Sequence, residues 1–144
     1  ITVNALQLAV MTSRLANGKK ALQPRLIKSI GGVEQPSGAE APDLPFKPEH
    51  IEYVRQGMIA VANDTSGTAY RQSQLGLGDI QMAGKTGTAE TGEDGLNDSW
   101  FTGFAPADDP QLAVAVVVED VDVTTGSTVT SPSARQLFEA VLNK

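Results

Sequence analysis

Residues 112–118 read Leu-Ala-Val-Ala-Val-Val-Val, and no other stretch of the chain limits the fold as tightly. β-Branched residues in a short run bounded by turn signals specify a strand. Leu112, Val114, Val116 and Val118 fall on one face, Ala113, Ala115 and Val117 on the other. Both faces are apolar, so both must be covered. The strand therefore demands a sheet with a layer on each side. Two earlier segments supply strands for it, 80–90 and 100–105. The connection between them is a polar loop over 91–98. The connection onward is Pro106-Ala107-Asp108-Asp109-Pro110. Links this short favour antiparallel hairpins.

Helical periodicity supplies the covering layers. Over 4–17, Asn4 is a capping residue, Leu8, Met11 and Leu15 form a stripe, and Asn17-Gly18 is a stop. Pro48 opens a second helix, with Ile51, Val54, Met58 and Val61 as its apolar face and Asn63-Asp64 at its end. Ser131-Pro132 reads as cap and first turn of a third, whose core stripe is Ala134, Leu137, Phe138 and Val141. Residues 22–30 are expected to be extended and at an exposed edge, because Pro24 forbids a helix interior and cations flank it. Residues 31–45 and 65–79 are expected as loops. The fold class is α+β, a three-stranded antiparallel sheet flanked by helices.

The chain has 144 residues, enough for one domain or part of one. It begins with Ile1 and enters a helical pattern at once, so an excised or processed piece without a leader is expected. No stretch approaches the roughly 20 apolar residues of a membrane span. The net charge of −6 argues against nucleic acid as a partner. Cysteine is absent, which removes thiolate chemistry and cysteine-bound metals. The lone histidine, His50, sits in a helical first turn between Glu49 and Glu52 and is expected to be solvated. No metal site and no cofactor are expected.

The chemistry-bearing segment is Ala83-Gly84-Lys85-Thr86-Gly87-Thr88-Ala89-Glu90. A cation, two hydroxyls two residues apart and a glycine occupy one strand. Thr86 and Thr88 share a face. Gly78 precedes Gly84-Lys85-Thr86 at phosphate-loop spacing, but the segment leads into another strand instead of a helix, which disfavours that reading. Trp100, Phe101 and Phe104 are expected in the core. The acidic pairs Glu93-Asp94 and Asp108-Asp109 are expected as solvated turn residues, not calcium ligands.

Lys-Thr-Gly on a strand resembles a signature of penicillin-binding proteins and serine β-lactamases, where it accompanies Ser-x-x-Lys and Ser-x-Asn. Neither companion is here: no serine stands three residues before any lysine or two before any asparagine. The resemblance extends along the chain. Val3-Asn4-Ala5-Leu6-Gln7-Leu8-Ala9, Ala16-Asn17-Gly18, Gln56-Gly57-Met58, Gly67-Thr68-Ala69, the Lys-Thr-Gly segment and Trp100-Phe101-Thr102-Gly103-Phe104-Ala105-Pro106 follow the order of class B penicillin-binding proteins. The elongation-type peptidoglycan D,D-transpeptidase is the subtype it looks like.

That resemblance implies that residues 1–144 are the C-terminal part of a transpeptidase domain. The nucleophile helix and the other strands of the family sheet would lie outside this chain. It implies a serine acyl-enzyme mechanism on the D-Ala-D-Ala end of peptidoglycan stem peptides, with β-lactams as mimics. Lys85 would supply positive charge and tune the proton network of the absent serine. Thr86 and Thr88 would bind the substrate carboxylate, Gly87 would let substrate lie against the strand, and the Thr88 backbone N–H would be an oxyanion-hole donor. The fragment alone would be inactive. The intact protein would be anchored in the inner membrane and face the periplasm. The missing N-terminal part would be its natural partner, and the uncovered edge at 112–119, from Leu112 to Glu119, would invite self-association. Two alternatives stay open: a serine β-lactamase or β-lactam sensor, and a non-catalytic scaffold with a relict strand.

Overall fold

The structure is a computed structural model that describes residues 2–35, 41–92, 95–122, 125 and 127–143. In chain order its elements are α1 (Ala5–Asn17), β1 (Ser29–Ile30), β2 (Val33–Glu34), α2 (Pro48–Asn63), β3 (Ala83–Glu90), β4 (Leu96–Ala105), β5 (Leu112–Asp122) and α3 (Ser127–Leu142). The main sheet has the order β3-β4-β5 and is antiparallel throughout. β1 and β2 form a separate two-stranded hairpin.

Local chemistry sets the helix ends. The Asn4 side chain accepts from the Gln7 N–H at 2.9 Å, and the Gln7 side chain accepts from the Asn4 N–H at 3.0 Å. This reciprocal box satisfies two of the amides that a helix start leaves bare. Gly18, at φ 72, ends α1 in the left-handed region, its N–H donating to the Arg14 carbonyl at 2.9 Å. Pro48 starts α2, where its missing N–H costs nothing.

The strand-to-helix arrangement follows from the two apolar faces. On one side α1 and α2 cover the sheet, with Ala16, Met58, Ala83, Phe104 and Ala107 buried together. On the other, α3 packs on Phe101, and the cluster of Ala62, Ala69, Met82, Phe101, Ala105, Ala134 and Phe138 is fully buried. Phe101 and Phe104 are both completely enclosed. Each contributes on the order of 1.5–3 kcal/mol of burial energy to its own layer. Polar ties fix the layers. Thr12 and Thr102 meet hydroxyl to hydroxyl at 2.5 Å, joining α1 to β4, and share their protons with the Leu8 and Val114 carbonyls. Arg55 of α2 donates to the Ala16 and Ala107 carbonyls and lies over the Phe104 ring at 5.3 Å.

Several element boundaries differ from the sequence-based expectation. α3 begins at Ser127, so Pro132 lies inside it instead of opening it. Its buried face is Thr130, Ser131, Ala134 and Phe138, while Leu137 and Val141 are exposed. The earlier start extends the buried stripe by a turn to the hydroxyls of Thr130 and Ser131, ahead of Ala134 and Phe138, and Leu137 and Val141 fall outside it. In α1 the buried residues are Thr12 and Ala16, and Met11 is exposed. β4 begins at Leu96, within the stretch expected as a polar loop, since Asn97 and Ser99 are buried, Ser99 against Thr130 of α3, instead of being solvated. Residues 22–28 hold no regular strand, and Val33–Glu34, expected in a loop, pairs with Ser29–Ile30. Glu93 and Asp94 lie outside the described residues.

Candidate active site along the free edge of β3

β3 bonds to β4 on one side, and among the described residues no strand bonds to its other side. On such an edge, the main-chain groups of alternate residues point away from the sheet. The Lys85 ammonium donates to the Thr86 carbonyl at 2.6 Å. Residue 88 shares the strand side of residue 86 by the period of two. Lys85 and Thr88 are exposed, and Thr86 and Gly87 are half-buried.

The register separates the side chains of the segment. Lys85 lies opposite Thr102 and Gly87 opposite Trp100, on the face that α1 and α2 cover. Thr86 lies opposite Phe101 and Thr88 opposite Ser99, on the α3 face. The two threonines do share a face, and the lysine sits on the other. Gly84 allows β3 to pass the Phe101 ring: a Cβ there would meet Phe101 Cζ at 2.1 Å. At Gly87 a Cβ would lie 3.3 Å from Trp100 Cβ, so the strand runs close beside the indole.

A groove of about 520 Å³ runs beside β3 between α1 and α2. Leu8, Met11, Leu15, Val54 and Met58 line it, and Lys85 and Gly87 of β3 with Trp100 of β4 form its sheet wall. Among the described residues, Lys85 is the one charged residue lining it. A cation at the mouth of an apolar groove, in reduced dielectric, attracts an anionic group more strongly than the same cation in open water. Trp100 is thus half-buried and walls the groove, while Phe101 and Phe104 are core. Met11 and Leu15, expected as core stripe, line this groove.

One residue joins the site that sequence reasoning gave no role. The loop after α2 brings Thr68 to β3, and its hydroxyl meets the Thr86 hydroxyl at 2.9 Å. The contact spans 18 residues of chain, so nothing local in the sequence announces it. No group of three or more His, Cys, Asp or Glu gathers among the described residues, so nothing there forms a multidentate metal site.

Residues 1–141 match the family described as the penicillin binding protein transpeptidase domain. The peptidoglycan D,D-transpeptidase PbpA of Mycolicibacterium smegmatis is 30% identical over 154 residues, covering 100% of this chain and 30% of the relative. Pseudomonas aeruginosa PBP2, solved in complex with WCK 5153, superposes with a TM-score of 0.76 at 34% identity, over 96% of this chain and 30% of that one. Penicillin-binding protein A from M. tuberculosis, solved as an imipenem acyl-enzyme complex, superposes with a TM-score of 0.69 at 25% identity, over 97% of this chain and 31% of that one. The chain spans about 30% of the length of these proteins. With the Lys-Thr-Gly edge strand, the three-layer fold and these matches together, the chain belongs to the penicillin-binding protein transpeptidase family, of which it is a partial transpeptidase domain.

Proposed function

We propose that this chain is the substrate-binding portion of a peptidoglycan D,D-transpeptidase that cross-links stem peptides through a serine acyl-enzyme. The observation that carries the reading is the run Lys85-Thr86-Gly87-Thr88, exposed at Lys85 and Thr88, on a strand edge with no pairing strand among the described residues. A stem peptide ends in a carboxylate and presents an extended backbone. An open strand edge accepts an extended peptide by main-chain hydrogen bonds. Lys85 provides charge for the carboxylate, and the Thr86 and Thr88 hydroxyls provide donors. The Thr88 N–H serves as one oxyanion donor. The nucleophile and the second oxyanion donor come from the part of the transpeptidase domain that this chain does not contain. The mechanism is then acylation of that serine by the penultimate D-Ala carbonyl, release of the terminal D-Ala, and attack by an amine of a second stem. β-Lactams enter as mimics of the same acyl donor, as imipenem does in the M. tuberculosis protein.

The reading also sets partners and place. The remainder of the transpeptidase domain is the natural partner of β5 and of the groove beside β3. Peptidoglycan precursors lie outside the inner membrane, so the intact protein works on its periplasmic face. No described helix is long and apolar enough to cross a membrane, so an anchor lies outside the described helices.

The test is covalent labelling by a fluorescent penicillin. The intact protein should be labelled and this chain alone should not. In the intact protein Lys85→Ala should slow acylation roughly tenfold to hundredfold, since one charge-assisted contact contributes about 1.5–3 kcal/mol. A stable adduct on this chain alone, or unchanged kinetics in the variant, would overturn the assignment.

A further inference from the structure

Thr68 lies outside the motif that carries the proposed chemistry, and its contact with Thr86 gives it a definite role there. We propose that Thr68 is a positioning residue for ligand carboxylates, donating to Thr86 so that the Thr86 proton is aimed outward at the anion. The inference rests on the site reading above and adds a residue to it.

The argument starts from proton counting. Each hydroxyl has a single proton and two lone pairs. The two oxygens lie 2.9 Å apart, so only one of the pair donates to the other. If Thr86 donates to Thr68, it has no proton left for a ligand and offers an anion only lone pairs. If Thr68 donates to Thr86, the Thr86 proton is free. An anion at Thr86 therefore selects the second arrangement. The chain then runs from the Thr68 O–H to Thr86 and from the Thr86 O–H to the carboxylate. Each bond polarises the next, so the Thr86 donor becomes stronger than a solitary hydroxyl.

The loop is built to hold Thr68 still. Gly67 is pressed so closely on the end of α2 that a Cβ there would sit 2.3 Å from the Val61 carbonyl oxygen and 2.5 Å from that of Ala60. Its own N–H donates to the Asp64 carbonyl at 2.8 Å. On the other side Ala69 is fully buried, and its N–H donates to the Val61 carbonyl at 3.1 Å. Thr68 is the exposed residue between these two clamps. A side chain fixed in this way gives its partner a preset orientation, and less ordering is needed when ligand binds.

The test uses the intact protein and two acylating probes, benzylpenicillin and its methyl ester, which has no carboxylate. Thr68→Val removes the hydroxyl and keeps the shape. It should lower the second-order acylation rate with benzylpenicillin by roughly fivefold, the scale of one hydrogen bond between neutral groups, and leave the ester unchanged. Thr68→Ser keeps the donor and should restore the rate. In a Thr86→Val background, Thr68→Val should cost nothing further, because the two act as one unit. Equal loss with both probes would mean a merely structural role and would overturn the proposal. So would a Thr68→Val protein that acylates at the wild-type rate, or a Thr68→Ser protein that fails to recover. A wild-type protein that neither probe labels would overturn the site reading itself, and the relay with it.

Discussion

At Gly84 the backbone of β3 crosses the Phe101 ring with no room for a methyl group, the would-be Cβ lying 2.1 Å from Cζ. Phe101 is completely enclosed and cannot step aside. Gly84→Ala should therefore destabilise the fold by about 1–3 kcal/mol, the usual cost of overpacking, measured as a lower denaturation midpoint. A neutral result would mean that the ring has space to move. Asp64 gives a second residue-scale expectation. Its carboxylate accepts from the Ser66 N–H and hydroxyl, both at 2.8 Å, and these bonds, the backbone one first, hold its pKa below the ordinary 3.8. A folded pKa below the unfolded one stabilises above the unfolded value, and that contribution is lost as pH falls through the folded one. Below pH 3.8 the turn that leads to Thr68 should loosen, seen as faster exchange of the Ser66 amide. Asp64→Asn should remove that pH step. At this scale the resemblance marked Lys85, Thr86, Gly87 and Thr88 as candidates, and they lie together on one strand edge. Thr68 appeared only within the Gly67-Thr68-Ala69 stretch of that resemblance and had no role, because a hydroxyl in a loop gains meaning only from the strand it touches.

Elements were legible where one local rule decides them. The Asn4–Gln7 box and Gly18 bound α1, and Pro48 opens α2, all from chemistry within a few residues. The doubly apolar run in β5 required cover on both faces, and α1 and α3 provide it. α3 was misread because Ser131-Pro132 is a good local start that tertiary packing overrides. The helix begins at Ser127, and Thr130 and Ser131 are buried; Thr130 meets Ser99 of β4 at 3.2 Å. Pro132 then leaves a main-chain carbonyl without its helical donor and crowds the preceding turn. This makes a prediction of sign. Pro132→Ala should raise the thermal midpoint, since it restores a donor inside the helix. Were Pro132 a first-turn residue, the same change would lower stability by roughly 0.4–1 kcal/mol through the freer unfolded chain.

At the scale of the whole molecule, the main sheet has two open edges among the described residues, β3 and β5. Among the described residues β5 bonds to β4 only, and residues 112–118 are half-buried although apolar throughout. The strand carries no proline and no lysine, and its irregularity comes only at the far end, where the register shifts between Asn97 and Ser99. Edges of this kind pair with other strands unless something guards them. In the intact protein that partner is the rest of the transpeptidase domain on the reading proposed above. In the isolated chain the available partner is a second copy, and two β5 strands side by side would form a continuous sheet. Val116 packs into the α3-side cluster, so a lysine there would perturb folding as well as pairing. Hydrogen exchange separates the two without any substitution. The amides of 112–118 that face away from β4 should be fast in dilute solution and become protected as concentration rises, with sedimentation shifting to dimer over the same range. The inward amides, already bonded to β4, should not change. A chain that stays monomeric at high micromolar concentration, with the outward amides protected throughout, would show that β5 is covered from within. The exposed edge would then not be the surface on which the rest of the domain assembles.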